Sequence, residues 1–157
     1  MSAESRLAEL GIELPPVVAP LASYVPVVVA GGFAFVAGQV PLEDGAPMIT
    51  GRLGTDLDTE EGARWARRCG LQCLAALRDG LGSLDRVERI AQVSVFVASA
   101  DGYTDQPKVG NGASDLFVEV FGDAGKHARA AVGVSELPLG VPVEVTLTAA
   151  VRPEPAP

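Results

Sequence analysis

Arg129 offers the sequence's clearest grip for a small anion. The segment 128–135 alternates as a strand does, with Arg129, Ala131, Gly133 and Ser135 on one face and Ala130, Val132 and Val134 on the other. A guanidinium among such small neighbours has room to hold a carboxylate through two parallel N–H···O bonds. The competing role is an ion pair at a surface or interface, in which an acid would stand beside it. His127, the one histidine of the chain, lies two residues earlier and in a regular strand points to the same side. It could give or take a proton near neutral pH, or simply end the strand at the surface. Asn111, in the run KVGNGAS, either donates to a ligand or sits in a loose helix start.

Cys69 and Cys73 lie four apart in a helical pattern. Without a second pair they make neither a zinc site nor a disulfide framework, so they read as buried core thiols, and no metal or cofactor is implied. Against 12 Lys and Arg stand 20 Asp and Glu, a formal net charge of −8. Such a surface repels phosphate backbones and anionic lipid, which argues against nucleic acid as a partner. The N-terminus lacks a basic start followed by an apolar run, and no window reaches the roughly 18 apolar residues of a membrane span. A cytoplasmic protein with no membrane partner is expected.

These residues need elements to hold them. A chain of 157 residues, 48% hydrophobic and 20% charged, suffices for one domain with a sizeable core. Residues 4–11 can form a helical turn before Pro15, Pro16 and Pro20 impose an extended path. Val25–Ala30 and Phe33–Ala37 flank Gly31-Gly32 and predict a hairpin; a third strand is expected at 47–52, after the turn Glu43-Asp44-Gly45. From Asp58 the period becomes helical, with Ala66, Cys69, Cys73, Leu74, Leu77 and Leu81 in one stripe, an Asp58/Glu61 capping box and Gly80 or Gly82 as the end. A central strand follows at 87–97, then a helix at 107–121 whose first half is interrupted by Gly110 and Gly112. Strands at 128–135 and 141–152 flank the turn Leu137-Pro138-Leu139-Gly140. The order β-β-β-α-β-α-β-β predicts an α+β fold, a mixed sheet of about six strands with two helices on one face. Its other face should meet further copies, which puts sites between subunits.

The segment HARAAVGVSELPLGVPVEVTLTAAV (127–151) resembles the signature of the RidA/YjgF family of reactive-intermediate deaminases, and FAFVAGQVP (33–41) is similar to that family's strand ending in Gly-Gln-hydrophobe-Pro. The spacing between the two blocks matches over nearly the whole domain. LGIELPP, YVPVVVAGG and QPKVGNGASDLFVEVFGDAGKHARAAVGV look like a divergent branch of the family. The resemblance implies a chorismate-mutase-like fold over residues 23–152, with a lead-in at 1–22 and a flexible tail at 153–157, and a homotrimer with three clefts between subunits. It implies a small carboxylate as ligand, held by Arg129, and hydrolysis of 2-imino or enamine acids to 2-oxo acids and ammonia. Tyr24 resembles the aromatic lining the cleft from the neighbouring chain, and Gly38 the backbone contact near the substrate; otherwise they are an edge-strand tyrosine and a turn glycine. Three positions depart from the family pattern. Ala37 replaces a serine, Ala131 replaces a cysteine, and Thr146 stands where the catalytic glutamate is expected. Glu144 lies on the same strand face as Thr146 but about 7 Å along it, too far to take over the same hydrogen bond. A non-catalytic metabolite sensor is the alternative function, and a ribonuclease, named for some relatives, is disfavoured by the acidic balance.

Overall fold

The computed structural model describes residues 1–20 and 22–154. Ser2 caps the first helix, α1 (Ala3–Leu10), and Gly11 closes it at φ 65°. This helix buries Ala3 and Leu7 in the common core, anchoring the lead-in before the prolines draw the chain out. Gly31 and Gly32, at φ 59° and 80°, make the turn between β1 (Val27–Ala30) and β2 (Phe33–Gln39). Both angles are positive, which is why a glycine pair stands here.

The third strand is where the expectation fails. Residues 47–52 do not join the sheet; β3 (Leu42–Glu43) and β4 (Ala46–Pro47) pair around Asp44 and Gly45 as a ribbon of their own. Pro47 offers no backbone N–H to a further ladder, and the apolar run there is too short to compete for a sheet edge. The main sheet therefore has five strands, in the order β1-β2-β7-β5-β6. Of these, β5 (Val87–Ala98) and β6 (Ala128–Val134) are parallel, and β7 (Val143–Val151) runs antiparallel to both β2 and β5. As its apolar alternation predicts, β5 is an interior strand. Of the tail expected at 153–157, residues 155–157 lie outside the described residues.

The capping box forms at the start of α2 (Thr59–Leu81): Asp58 and Glu61 exchange side-chain and backbone bonds of 2.8 Å each, and Gly82 ends the helix at φ 79°. Cys69 and Cys73 face the sheet, their Sγ atoms 3.6 and 3.5 Å from the Val143 and Val145 carbonyls. Burial pushes both thiols above their ordinary range, so they are packing groups and not nucleophiles.

The two glycines that interrupt the second helical pattern have separate reasons. In α3 (Gln106–Phe121), a Cβ on Gly112 would lie 1.8 Å from the Ala63 carbonyl oxygen, so α2 and α3 cross with their backbones in contact. A Cβ on Gly110 would crowd Arg129, as described below. Both helices lie on one face of the sheet. There Val143, Val145, Leu147 and Ala149 are buried, while Glu144, Thr146, Thr148 and Ala150 alternate onto the open face. The open face also carries Val28, Phe33, Phe35 and Val132, 42–50% exposed.

Candidate functional site

Strand register decides which candidates can meet. Arg129 pairs with Val93, and Val93 with Leu147, all on the helix-covered face. Ala130 pairs with Ser94 and Ser94 with Thr146, while Val132, Phe96 and Glu144 form the next row of the open face. Within one chain, Arg129 therefore lies on the opposite side of the sheet from Glu144 and Thr146, two strand spacings or about 10 Å away.

Arg129 lies against α3. Its Nη1 donates to Asn111 Oδ1 at 2.9 Å and to Ser114 Oγ at 3.1 Å, and its Nη2 donates to the Pro107 carbonyl at 3.2 Å. All three acceptors are neutral, and among the described residues no carboxylate pairs with the guanidinium. Three of its five donors are used, leaving Nε–H and one Nη2–H. That pair forms the side-on edge that fits a carboxylate's two oxygens. Gly110 leaves room for this seat, since a Cβ there would crowd Nη1 at 3.2 Å and the Ala131 Cβ at 3.3 Å. Ala131 follows Arg129 on the same face, half-buried beneath α3.

His127 precedes β6 and is joined to Arg129 through Ser114. Its Nδ1 lies 2.6 Å from the Gly125 carbonyl, and its Nε2 lies 2.9 Å from Ser114 Oγ. The Phe117 ring meets it edge-on at 5.9 Å. Burial, reinforced by the Arg129 charge, holds the imidazole pKa below 6.5, against a smaller opposite effect of the Gly125 carbonyl.

A second group gathers at the far end of β2. Tyr24, Gly38 and Glu144 line one cavity of about 110 Å³, with Pro26, Leu42 and Leu139 among its walls. The Glu144 carboxylate lies directly over Gly38, where a Cβ would meet its Oε1 at 2.0 Å. Only a glycine lets it lie there. Burial raises the Glu144 carboxyl above its ordinary range. Thr146 sits differently. Between the pairs Val36↔Leu147 and Gln39↔Val145, β2 spends two residues, Ala37 and Gly38, against Thr146 alone. This is a β-bulge, and the Thr146 hydroxyl donates into it, to the Val36 carbonyl. Ala37 is held by its backbone, its N–H donating to the Pro26 carbonyl at 2.9 Å and its own carbonyl accepting from Gln39 Nε2 at 3.1 Å.

The structure thus joins Arg129, Asn111 and His127 in one cluster and Tyr24, Gly38 and Glu144 in another. Sequence reasoning did not single out Ser114 or the Pro107 carbonyl. A signal for Ser114 was present: it follows Asn111 by three residues in a helical segment, which puts both on one face.

Residues 4–151 match the family described as "YjgF/chorismate mutase-like, putative endoribonuclease". The chain belongs to this family. Protein TCP17 of Trypanosoma cruzi is 46% identical to this YjgF-family chain over 142 residues, 90% of this chain and 89% of its own. A Shewanella oneidensis structure carrying the same endoribonuclease designation superposes with a TM-score of 0.91 at 34% identity, covering 96% of this chain and all of its own. Escherichia coli TdcF with bound serine gives a TM-score of 0.58 at 25% identity, over 89% of this chain and 94% of TdcF. The fold of this YjgF-family chain is accordingly chorismate-mutase-like, with the small ribbon beside the five-stranded sheet.

Proposed function

We propose that the chain assembles as a homotrimer that binds small 2-imino and 2-oxo carboxylates between its subunits and hydrolyses enamines and imines to 2-oxo acids and ammonia. The observation that carries this reading is the seat of Arg129: a guanidinium fixed by three neutral acceptors, with the edge suited to a carboxylate unspent. Its separation from Tyr24, Gly38 and Glu144 by the thickness of the sheet supports a cleft completed by a neighbouring copy, where both clusters could face one ligand. The apolar open face supports the same assembly. TdcF binding serine, itself a small carboxylate, fits the ligand class. Two buried, unpaired thiols fit a cytoplasmic location.

Arg129 of one copy fixes the carboxylate, and Tyr24 of the next closes the cavity over the C=N carbon. A water oxygen then bonds to that carbon while the π electrons move to nitrogen. Glu144 takes one water proton and passes it to the nitrogen, then takes the proton of the new hydroxyl and passes that on as well, so that the C–N bond breaks, ammonia leaves and the carbonyl forms. An enamine enters this sequence after its proton shift to the imine tautomer. Glu144 has this role because it lines the cavity, whereas the Thr146 hydroxyl is committed to a backbone carbonyl. An imine is already electrophilic, so orientation and exclusion of bulk water contribute alongside the base.

The second reading, a sensor that binds without turnover, is favoured by Thr146, the position at which the resemblance to the deaminases implies a glutamate. Freshly generated 2-aminoacrylate separates the two. Accelerated pyruvate formation that disappears in Arg129→Ala is the expected result; saturable binding with no acceleration would make the protein a sensor.

A further inference from the structure

The geometry points to Ser114 and His127 as positioning residues for Arg129, forming a directional hydrogen-bond chain that locks its Nη1 and presents the Nε/Nη2 edge to the ligand. This rests on the proposed carboxylate site, but its first test needs no ligand. The direction of the chain follows from what each atom can do. The Gly125 carbonyl can only accept, so at 2.6 Å from it Nδ1 carries the imidazole proton. A neutral ring with Nδ1–H has Nε2 as its acceptor. The Ser114 hydroxyl therefore donates to Nε2 and keeps its lone pairs for the Arg129 Nη1–H, 3.1 Å away. Each bond polarises the next, which strengthens the grip on the guanidinium. With Asn111 taking the other Nη1 proton, rotation about the Cζ–Nη1 bond would break two hydrogen bonds at once. His127 thus acts on Arg129 through Ser114 without touching the ligand.

The chain depends on a neutral imidazole. Once protonated, Nε2 donates, the Ser114 proton loses its acceptor, and one hydroxyl is left between two cations. The groups around the ring set this balance. Arg129 of β6 disfavours the imidazolium; Ser114 and Phe117 of α3 and the Gly125 carbonyl are neutral. The adjoining turn carries an Asp123–Lys126 ion pair at 2.7 Å, whose charges offset one another. From β5, Arg89 donates to the Asp123 and Lys126 carbonyls, adding a cation on that side.

The test reads nitrogen-15 NMR signals of the Arg129 guanidinium in the full-length protein, together with calorimetric binding of pyruvate. At pH 7.5, well above the unperturbed histidine value of roughly 6.5, wild type should show slowly exchanging Nη1 protons and the Nδ1–H tautomer of His127. Ser114→Ala and His127→Leu should each release the guanidinium into fast rotation and weaken pyruvate binding about tenfold, and the double variant should be no worse than either single one. His127→Gln, whose amide oxygen can accept from Ser114, should restore slow rotation and bind within about threefold of wild type. On acidification, wild type should lose slow rotation as His127 protonates, while His127→Gln should not. Fast rotation in folded wild type, the Nε2–H tautomer, or additive losses in the double variant would each overturn the assignment. A locked guanidinium that binds no pyruvate would support the positioning role and sink the proposed ligand class instead.

Discussion

Glu144 and Thr146 alternate onto the same sheet face, yet the structure gives them different work. Glu144 reaches a cavity with Tyr24 and Gly38, whereas Thr146 spends its hydroxyl on the bulge carbonyl of Val36. In the proposed site, where Arg129 holds the carboxylate and Glu144 is the base, Glu144→Gln should reduce 2-aminoacrylate turnover by about 100-fold, the lower end of what a general base contributes, with pyruvate affinity within about twofold. The pH profile gives a second reading. A carboxyl raised by burial is an active base only above its own pKa, so the acid limb of kcat should fall at a pH above 4.5 and should vanish in Glu144→Gln. Thr146→Val should leave turnover within about twofold while lowering stability by about 1 kcal/mol, the usual net worth of one hydrogen bond, measured by urea unfolding. A collapse of turnover in Thr146→Val with intact Glu144→Gln activity would reverse the two roles.

At the scale of elements, the crossing of α2 and α3 sets the position of Arg129. Gly112 lets α3 touch the Ala63 carbonyl, and Gly110 leaves the space into which the guanidinium extends. Gly112→Ala cannot be accommodated unless the helices separate, so about 1–3 kcal/mol of overpacking strain is expected despite alanine's better helix propensity. For a chain of this length that is a Tm lower by about 3–10 °C in a thermal melt. Gly31 and Gly32 were legible as a hairpin turn, and Asp58 with Glu61 as a capping box, because each depends on neighbours in sequence. Gly110 and Gly112 looked like defects in a helix because their reasons, Arg129 and Ala63, lie far away along the chain.

At the scale of the molecule, the sheet face bearing Phe33, Phe35, Val28 and Val132 is apolar and exposed in the single chain, which supports the proposed trimer. The proposed trimer should scatter light with about three times the 16.1 kDa chain mass at micromolar concentration. Phe35→Asp should shift the mass toward monomer and abolish pyruvate binding together, since the proposed cleft needs two copies. A stable wild-type monomer that still bound pyruvate would refute both the trimer and the shared site.

By itself the sequence determined what local physics can encode: the helical stripe of α2 and its caps, the glycine hairpin, the alternation of β5, β6 and β7, and Arg129 among small residues. These follow from periodicity, side-chain capping and backbone freedom over a few residues. The family resemblance extended that reading to the fold, which the 4–151 match bears out. Tertiary structure decided the rest. It kept the strand expected at 47–52 out of the main sheet, because pairing partners are chosen by competition among all strands. It supplied Ser114 and the Pro107 carbonyl to Arg129, which depends on how α3 lies over β6. It also set Arg129 and Glu144 on opposite faces, because face is fixed by register across three strands and no single strand's alternation relates one strand's faces to another's.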